Sequence, residues 1–206
     1  MEITLREYQK EDFEALQKII RKTWHYDDLS SPETAQKLAR VFLSSCLTNY
    51  TFSRVALDHG VPVGIILVNH KAKHKCPLGL KVQQVKAITS LFLSKEGRKV
   101  SKIFESVSGI DKELLKECKT PYPAELSLFA VDESCRGKGI GKLLFQSALA
   151  YGKEEKLDKF YLFTDTSCNF GFYEHQGMVR RKEKEHRFNI NGQFAKMNFF
   201  LYDYTM

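Results

Sequence analysis

Three glycines at alternate positions, Gly137, Gly139 and Gly141, stand between the cations Arg136, Lys138 and Lys142. Glycines let successive backbone N–H groups converge on one concavity without Cβ obstruction, and a helix that starts behind them adds its partial positive charge, so the loop is built for a phosphate or pyrophosphate. Spacing narrows the ligand. A mononucleotide loop needs Ser or Thr after its Gly-Lys pair to reach magnesium, but Gly141-Lys142 is followed by Leu143. A dinucleotide loop needs GxGxxG directly after a strand. Here the glycines run GxGxG several residues beyond one, and too little chain follows Asp165 for the remaining strands of such a fold. Two other constellations carry less chemistry. His70, His74 and Cys76 have ligand-like spacing in a lysine-rich stretch with no partner pair, so no metal is expected. Cys135 sits where cations and a helix N-terminus would depress a thiol pKa, yet nothing in the chain calls for a thiol nucleophile.

The elements that must position the loop follow from periodicity. Leu126 to Val131 is an apolar run of strand length before a polar turn, and Leu143, Leu144 and Ala148 beyond the loop fall on one helical face, which predicts strand, glycine loop, helix. Upstream, Ile3 to Tyr8 alternates as a strand, and Lys10 to Trp24 places Phe13, Leu16, Ile19, Ile20 and Trp24 on one stripe. Ser31-Pro32-Glu33 is a helix start with Leu38, Val41, Phe42 and Cys46 on the apolar face. Thr51 to Leu57 and Val63 to Asn69 predict a hairpin around Asp58 to Pro62. Residues 72–122 are helical in period, with loop signals at Pro77, Gly79, Gly97 and Gly109, and read as two or three helices inserted between strands. Downstream, a helix to about Lys156 leads to a strand Phe160 to Thr164. A short helix over Asn169 to His175 is expected to be capped by Asn169 and ended by Gly177, and two strand-like runs flank the hairpin signal Asn191-Gly192.

With 206 residues, 43% apolar and 28% charged, the chain can bury one well-formed core, and a single domain over residues 1–206 with an insertion at 72–122 is expected. No apolar run approaches the roughly 20 residues of a membrane span, and MEITLREYQKED has neither the basic start nor the apolar core of a signal peptide. The five scattered cysteines suit a reducing compartment, so a cytoplasmic location and no membrane partner are expected. The net charge of +7 raises the question of a polyanion, but no nucleic-acid motif accompanies it, and a surface that attracts a phosphorylated small molecule explains it.

Arg136-Gly137-Lys138-Gly139-Ile140-Gly141, after an apolar strand and before a helix, resembles the R/Q-x-x-G-x-G/A acetyl-CoA signature of the GCN5-related N-acetyltransferase (GNAT) family. A second family signature, an Asn followed by an aromatic helix that ends in a Gly turn, is matched by Asn169 to Met178, and the order of elements is similar to the family's throughout. The resemblance implies an α+β fold, with a mixed, mostly antiparallel central sheet flanked by helices. It also implies acetyl-CoA as co-substrate and direct transfer to a primary amine in a ternary complex. Backbone groups of Phe129 and Val131 would bond the pantetheine arm and thioester, and a β-bulge near them would free those groups from the ladder. Arg136 to Lys142, Ile140 included, would hold the pyrophosphate, with Asn169 and Phe172 along the arm. Tyr173 is implied as the acid that protonates the thiolate, and Glu125 as the base that relieves the amine of its proton. Tyr122, Asp165 and His175 are lesser candidates for the base. The acceptor, a small-molecule amine or a peptide amine, is left open, with 72–122 expected to help choose it; a homodimer is compatible with the reading, and the alternative function is a non-catalytic acyl-CoA-binding module.

Overall fold

The computed structural model describes residues 2–190 and 193–206, and the hairpin signal Asn191-Gly192 lies outside them. Among the described residues seven strands form one sheet: β1 (Ile3–Arg6), β2 (Phe52–Asp58), β3 (Val61–His70), β4 (Ala124–Val131), β5 (Lys159–Asp165), β6 (Val179–Ile190) and β7 (Gln193–Thr205). Their order is β1-β2-β3-β4-β5-β7-β6, and every neighbouring pair is antiparallel except β4 and β5. The helices are α1 (Phe13–Thr23), α2 (Tyr26–Leu29), α3 (Pro32–Leu47), α4 (Leu78–Phe92), α5 (Lys95–Cys118), α6 (Ile140–Glu154) and α7 (Gly171–His175). This is the mixed, mostly antiparallel sheet flanked by helices that the resemblance implied.

Local chemistry explains where the elements start and stop. Pro32 opens α3 behind Ser31, whose Oγ accepts the Thr34 N–H. The β2–β3 turn is tighter than the five residues expected from sequence. Only His59 and Gly60 link the strands, both at positive φ (48° and 81°), which is the two-residue geometry whose twist matches a hairpin. Two other expectations fail. The first strand ends at Arg6 rather than Tyr8, and the first helical stripe breaks after Thr23, where His25 takes φ 49° and the short α2 follows.

Residues 72–122 hold two helices, and the three glycines that read as loop signals lie inside them, Gly79 in α4 and Gly97 and Gly109 in α5. The Gly97 N–H bonds the Ser94 cap, and a Cβ there would sit 2.1 Å from the Leu91 carbonyl, so that glycine is required by packing and is not a break. The start of α5 is tied to the start of α3. Glu96 accepts from the Ser31 N–H (2.9 Å), the Ser31 hydroxyl (2.5 Å) and the Thr34 hydroxyl (2.5 Å), and these bonds hold its carboxyl down at about 2.

Three apolar clusters hold the layers together. One packs α1 and α3 on β2, β3 and the far half of β4, through Leu16, Ile20, Leu43, Ile65, Leu67 and Leu128. The second packs α6 on the opposite face, through Leu144, Phe145, Ile66, Leu126, Leu162 and Tyr202. The third sets Ile110 and Leu114 of α5 on Tyr161, Phe199 and Leu201. Val100, one end of the same helix, belongs to the first cluster. Helix α5 therefore crosses from one half of the sheet to the other over the junction of β4 and β5.

Candidate active site

That junction is only two residues deep. Ala124 pairs with Phe160 and Glu125 with Tyr161, and beyond Glu125 the two strands part. From Leu126 to Val131 β4 keeps β3 as its one partner, so the backbone groups on its β5 side face a cleft instead of a ladder. A bulge helps to shape this edge. Leu67 pairs with Leu128 but Val68 with Leu126, which leaves Ser127 as the extra residue. Because side chains alternate with period two, the extra residue exchanges the faces: Leu126 packs toward α6, while Leu128 and Ala130 pack toward α1 and α3 and deliver Phe129 and Val131 to the α6 side.

The cleft has a volume of about 620 Å³. Its first end is the glycine loop. Gly137 and Gly139 take φ +75° and +81° with open space where a Cβ would point, and Gly139 is the N-cap of α6. The Leu143 N–H returns to the Gly139 carbonyl, and among the described residues no protein group accepts from the N–H groups of residues 137–142. These unpartnered donors and a helix N-terminus make a cradle of the size and sign an anionic diphosphate needs. Arg136 and Lys142 line it, and Arg136 also pairs with Glu133 at 3.2 Å. The Ile140 side chain is core, and Lys138 lies outside the lining.

The middle is aromatic. Phe129 and Phe172 meet with centroids 5.3 Å apart, and Gly141 fits beneath them, 3.4 Å from Phe172 where its Cβ would be. Tyr173 packs edge-on to Phe172 and near Phe129, and it lines the cleft. Burial pushes its phenol up, and the neighbouring Cys168 and Asp165 add to the shift, so the hydroxyl keeps its proton at every working pH. Asn169 lines the cleft but does not cap α7. Phe170 takes the N-cap position without a side-chain bond, and Asn169 contributes its carbonyl to the Phe172 N–H at 3.2 Å. The helix end is as expected. Met178 N–H bonds the Tyr173 carbonyl and Gly177 N–H the Glu174 carbonyl, both at 3.0 Å, with Gly177 at φ +86°, which is the double bond of a Schellman cap. That cap fixes the turn on which Tyr173 stands.

The far end is acidic. Glu125 sits at the fork of β4 and β5, accepting from the Tyr161 hydroxyl at 3.1 Å. Burial raises its carboxyl, against the Tyr161 bond and the charge of Lys71, whose Nζ lies 4.8 Å over the Tyr161 ring. Asp165 ends β5, four residues beyond the Tyr161 that pairs with Glu125, where its carboxylate accepts from the Ser167 N–H at 2.7 Å, and Asp111 reaches the cleft from α5. Burial first, then the charges of Asp165 and Glu125, push Asp111 up to about 7. Among the described residues no group of three or more His, Cys, Asp or Glu is arranged to hold a metal ion. His74 instead bonds the Thr48 carbonyl (2.7 Å).

Two of the lesser base candidates lie elsewhere. The Tyr122 hydroxyl donates to Asp203 at 2.9 Å in the third core cluster, and His175 is exposed with Nδ1 2.6 Å from the Gly171 carbonyl. The sequence reading missed Trp24, Phe42 and Asp111, which also line the cleft. Asp111 had a signal: it interrupts the stripe Val107, Ile110, Leu114 that α5 otherwise turns inward.

The raised Asp111 carboxyl makes folding stability depend on pH. A group bound more tightly to its proton in the folded state stabilises fully below its ordinary 3.8, and that contribution is lost as pH rises through about 7. Asp111→Asn removes the penalty, so thermal unfolding at pH 8 is expected to rise relative to the parent protein by about 1–3 kcal/mol, after solvent screening of a partly exposed group. The difference vanishes near pH 4; a variant less stable than the parent at pH 8 contradicts the assignment.

Residues 106–178, from the second half of α5 to the end of α7, match the model of the Acetyltransferase (GNAT) family. The match covers the glycine loop and the Asn169–Met178 turn, and the fold over the whole chain is that of the GNAT acetyltransferases. Solved structures that share the fold include an N-acetyltransferase from Staphylococcus aureus Mu50 (15% identity, 100% of this chain and 99% of that one, TM-score 0.55). Ard1 from Thermoplasma volcanium is 16% identical over 100% and 99%, with a TM-score of 0.55. The PaiA N-acetyltransferase from Thermoplasma acidophilum, solved in complex with coenzyme A, is 15% identical over 100% of both chains, with a TM-score of 0.52. No curated protein matches the chain significantly. Family and fold together support acyl-CoA-dependent acetyl transfer in general terms. No helix among the described residues is long and apolar enough to cross a membrane.

Proposed function

We propose that the protein is an N-acetyltransferase that moves an acetyl group from acetyl-CoA directly to a primary amine within one cleft. The observation that carries this reading is the polarity of the split sheet. A cradle of unpartnered N–H groups and two cations lies at one end, Glu125 lies at the fork that closes the other with Asp111 in electrostatic reach of it, and Tyr173 lines the same cleft. The residues present suit the donor. The N–H groups of residues 137–142 would hold the diphosphate, with Arg136 and Lys142 supplying charge. The exposed backbone edge of Phe129 to Val131 would bond the pantetheine arm and polarise the thioester carbonyl, and Asn169 and Phe172 would flank the arm. The coenzyme A bound by the Thermoplasma acidophilum PaiA protein, which has the same fold, is consistent with this placement.

At the acceptor end Glu125 takes the proton from the incoming ammonium, directly or through one water. The free amine then bonds the acetyl carbon as the carbon–sulfur bond breaks, the Tyr173 hydroxyl gives its proton to the departing thiolate, and the proton that the acylated nitrogen sheds as it becomes an amide passes through water to restore the phenol. No bond to the protein forms. The test is thiol release from acetyl-CoA over a panel of primary amines, with mass detection of acetylated product. Amine-dependent release with a one-acetyl mass gain supports the reading. Tight acetyl-CoA binding without release for any amine overturns it in favour of a binding module.

A further inference from the structure

Helix α4 is apolar on two faces, and the protein covers one of them. On the inner face Ala87 and Leu91 are buried, Leu80 packs against the first core cluster, and the Gln84 amide donates to the Ser45 hydroxyl of α3 at 3.1 Å. On the opposite side Leu78, Val82, Val85, Ile88, Phe92 and Leu93 are exposed, and they join in one stripe about 20 Å long. Thr89 lies within the stripe, but its hydroxyl already bonds the Val85 carbonyl (2.9 Å), so it asks nothing of a partner. A helix that is apolar all round is normally buried, and a continuous apolar patch of this extent facing water marks an interaction site.

The charge around the stripe says what covers it. From His59 to Lys95 the chain has no Asp or Glu, and it has six lysines. Lys71 and Lys73 turn elsewhere, to the Tyr161 ring and to Glu155. Lys81 and Lys86 are exposed and pair with no carboxylate among the described residues. They stand on the two edges of the stripe, Lys81 one turn from Leu78 and Val85, Lys86 one turn from Val82 and Thr89. At the far end the Arg98 guanidinium donates to the Phe92 carbonyl at 2.6 Å, which holds a third cation beside the last apolar residues. Glu96, the first acid after the gap, is taken up by Ser31 and Thr34. A second copy of α4 would bring the same cations and no acid to answer them. A partner helix crosses at an angle and covers the middle of a short helix best, whereas the most exposed residues here are the two ends, Leu78 at 77% and Leu93 at 78%. A flat anionic surface meets the whole stripe and all three cations at once.

We propose that α4 is an interfacial helix that seats the protein on an anionic lipid surface, with its apolar stripe at the boundary of headgroups and acyl chains and Lys81, Lys86 and Arg98 among the lipid phosphates. Such a helix lies in the plane of the interface and does not span it. A search for spans passes over it, because it is only 15 residues long and its apolar residues are interleaved with lysines. Neither the stripe nor its cations line the cleft between β4 and β5, so the inference stands apart from the catalytic reading. The docked protein keeps the chemistry of that cleft and gains a location.

Flotation of the full chain with vesicles of phosphatidylcholine, with and without about 30% phosphatidylglycerol, tests this. Binding is expected only where phosphatidylglycerol is present, and it is expected to weaken at about 0.5 M salt. Lys81→Gln with Lys86→Gln is expected to lower the partition coefficient by about fivefold per lysine. Leu78→Ser with Leu93→Ser is expected to lower it by about tenfold or more per leucine. Both leucines are exposed, so thermal unfolding of that variant is expected to match the parent protein, which separates loss of docking from loss of fold. No flotation with phosphatidylglycerol vesicles at low salt, or equal binding to phosphatidylcholine alone, overturns the inference. So does a loss in the lysine variant with none in the leucine variant, which is adsorption by charge alone. A dimer in sedimentation velocity that Leu78→Ser with Leu93→Ser dissolves assigns the stripe to a second copy and overturns it as well.

Discussion

Replacing Tyr173 with phenylalanine is expected to lower kcat by about 10²–10³ while the affinity for acetyl-CoA changes less than about threefold. The ring does the packing. It lies against Phe129, Phe172 and Tyr202, and phenylalanine repeats those contacts without the hydroxyl. The hydroxyl does the chemistry in the proposed mechanism, because a thiolate leaving a tetrahedral carbon needs a proton and the phenol is the protonated group at that point of the cleft. Its environment keeps it protonated: burial penalises the phenolate, and the nearby Cys168 and Asp165 penalise it further. Pre-steady-state thiol release together with equilibrium binding of acetyl-CoA separates the two roles. Equal loss in kcat and in donor affinity would make Tyr173 a packing residue, and unchanged kinetics would remove it as the acid.

Glu125→Gln is the complementary experiment, with a comparable expected loss of about 10²-fold or more in kcat/KM. Glutamine keeps the length, the fork position and an oxygen that accepts from Tyr161 at the distance seen here, 3.1 Å. It cannot take a proton. Because burial raises the carboxyl of Glu125, the parent enzyme should lose activity on the acid side at a pH above that of an ordinary glutamate, and this acid limb should be absent from the variant's residual profile. Folding is not expected to suffer, since a carboxyl raised by burial is one whose charged form the fold disfavours. A full acid limb in Glu125→Gln would transfer the base role to Asp165 or Asp111, the other carboxylates of the cleft.

Much of this site could be read before any coordinates, for reasons that differ by residue. The glycine loop was legible because Gly137 and Gly139 are needed for backbone conformations that other residues avoid, so their chemistry is local in sequence. Tyr173 was legible through a contiguous ten-residue turn, Asn169 to Met178, that folds as one unit. The bulge at Ser127 was anticipated in kind but not in position, since register is a property of two strands and only one is written in the motif. Asp111 escaped because Gly109 reads as a loop signal just before it, and what brings its carboxyl to the cleft that Glu125 lines is tertiary: the anchoring of α5 to α3 through Glu96 and to β5 and β7 through Ile110 and Leu114. The cap expected at Asn169 failed for a related reason. The residue is next to the helix in sequence, but the first turn starts one position later.

The Ser127 bulge carries a consequence for changes of length. Loss of Ser127 itself would make Leu126 and Leu128 chain neighbours on opposite faces, where they already lie, and would leave Phe129 and Val131 on the donor side. Loss of Ala130 would instead exchange the face of Phe129 or of Val131, because no second extra residue is there to absorb it. A one-codon deletion in this strand is therefore silent for the faces at the bulge and disruptive three residues later.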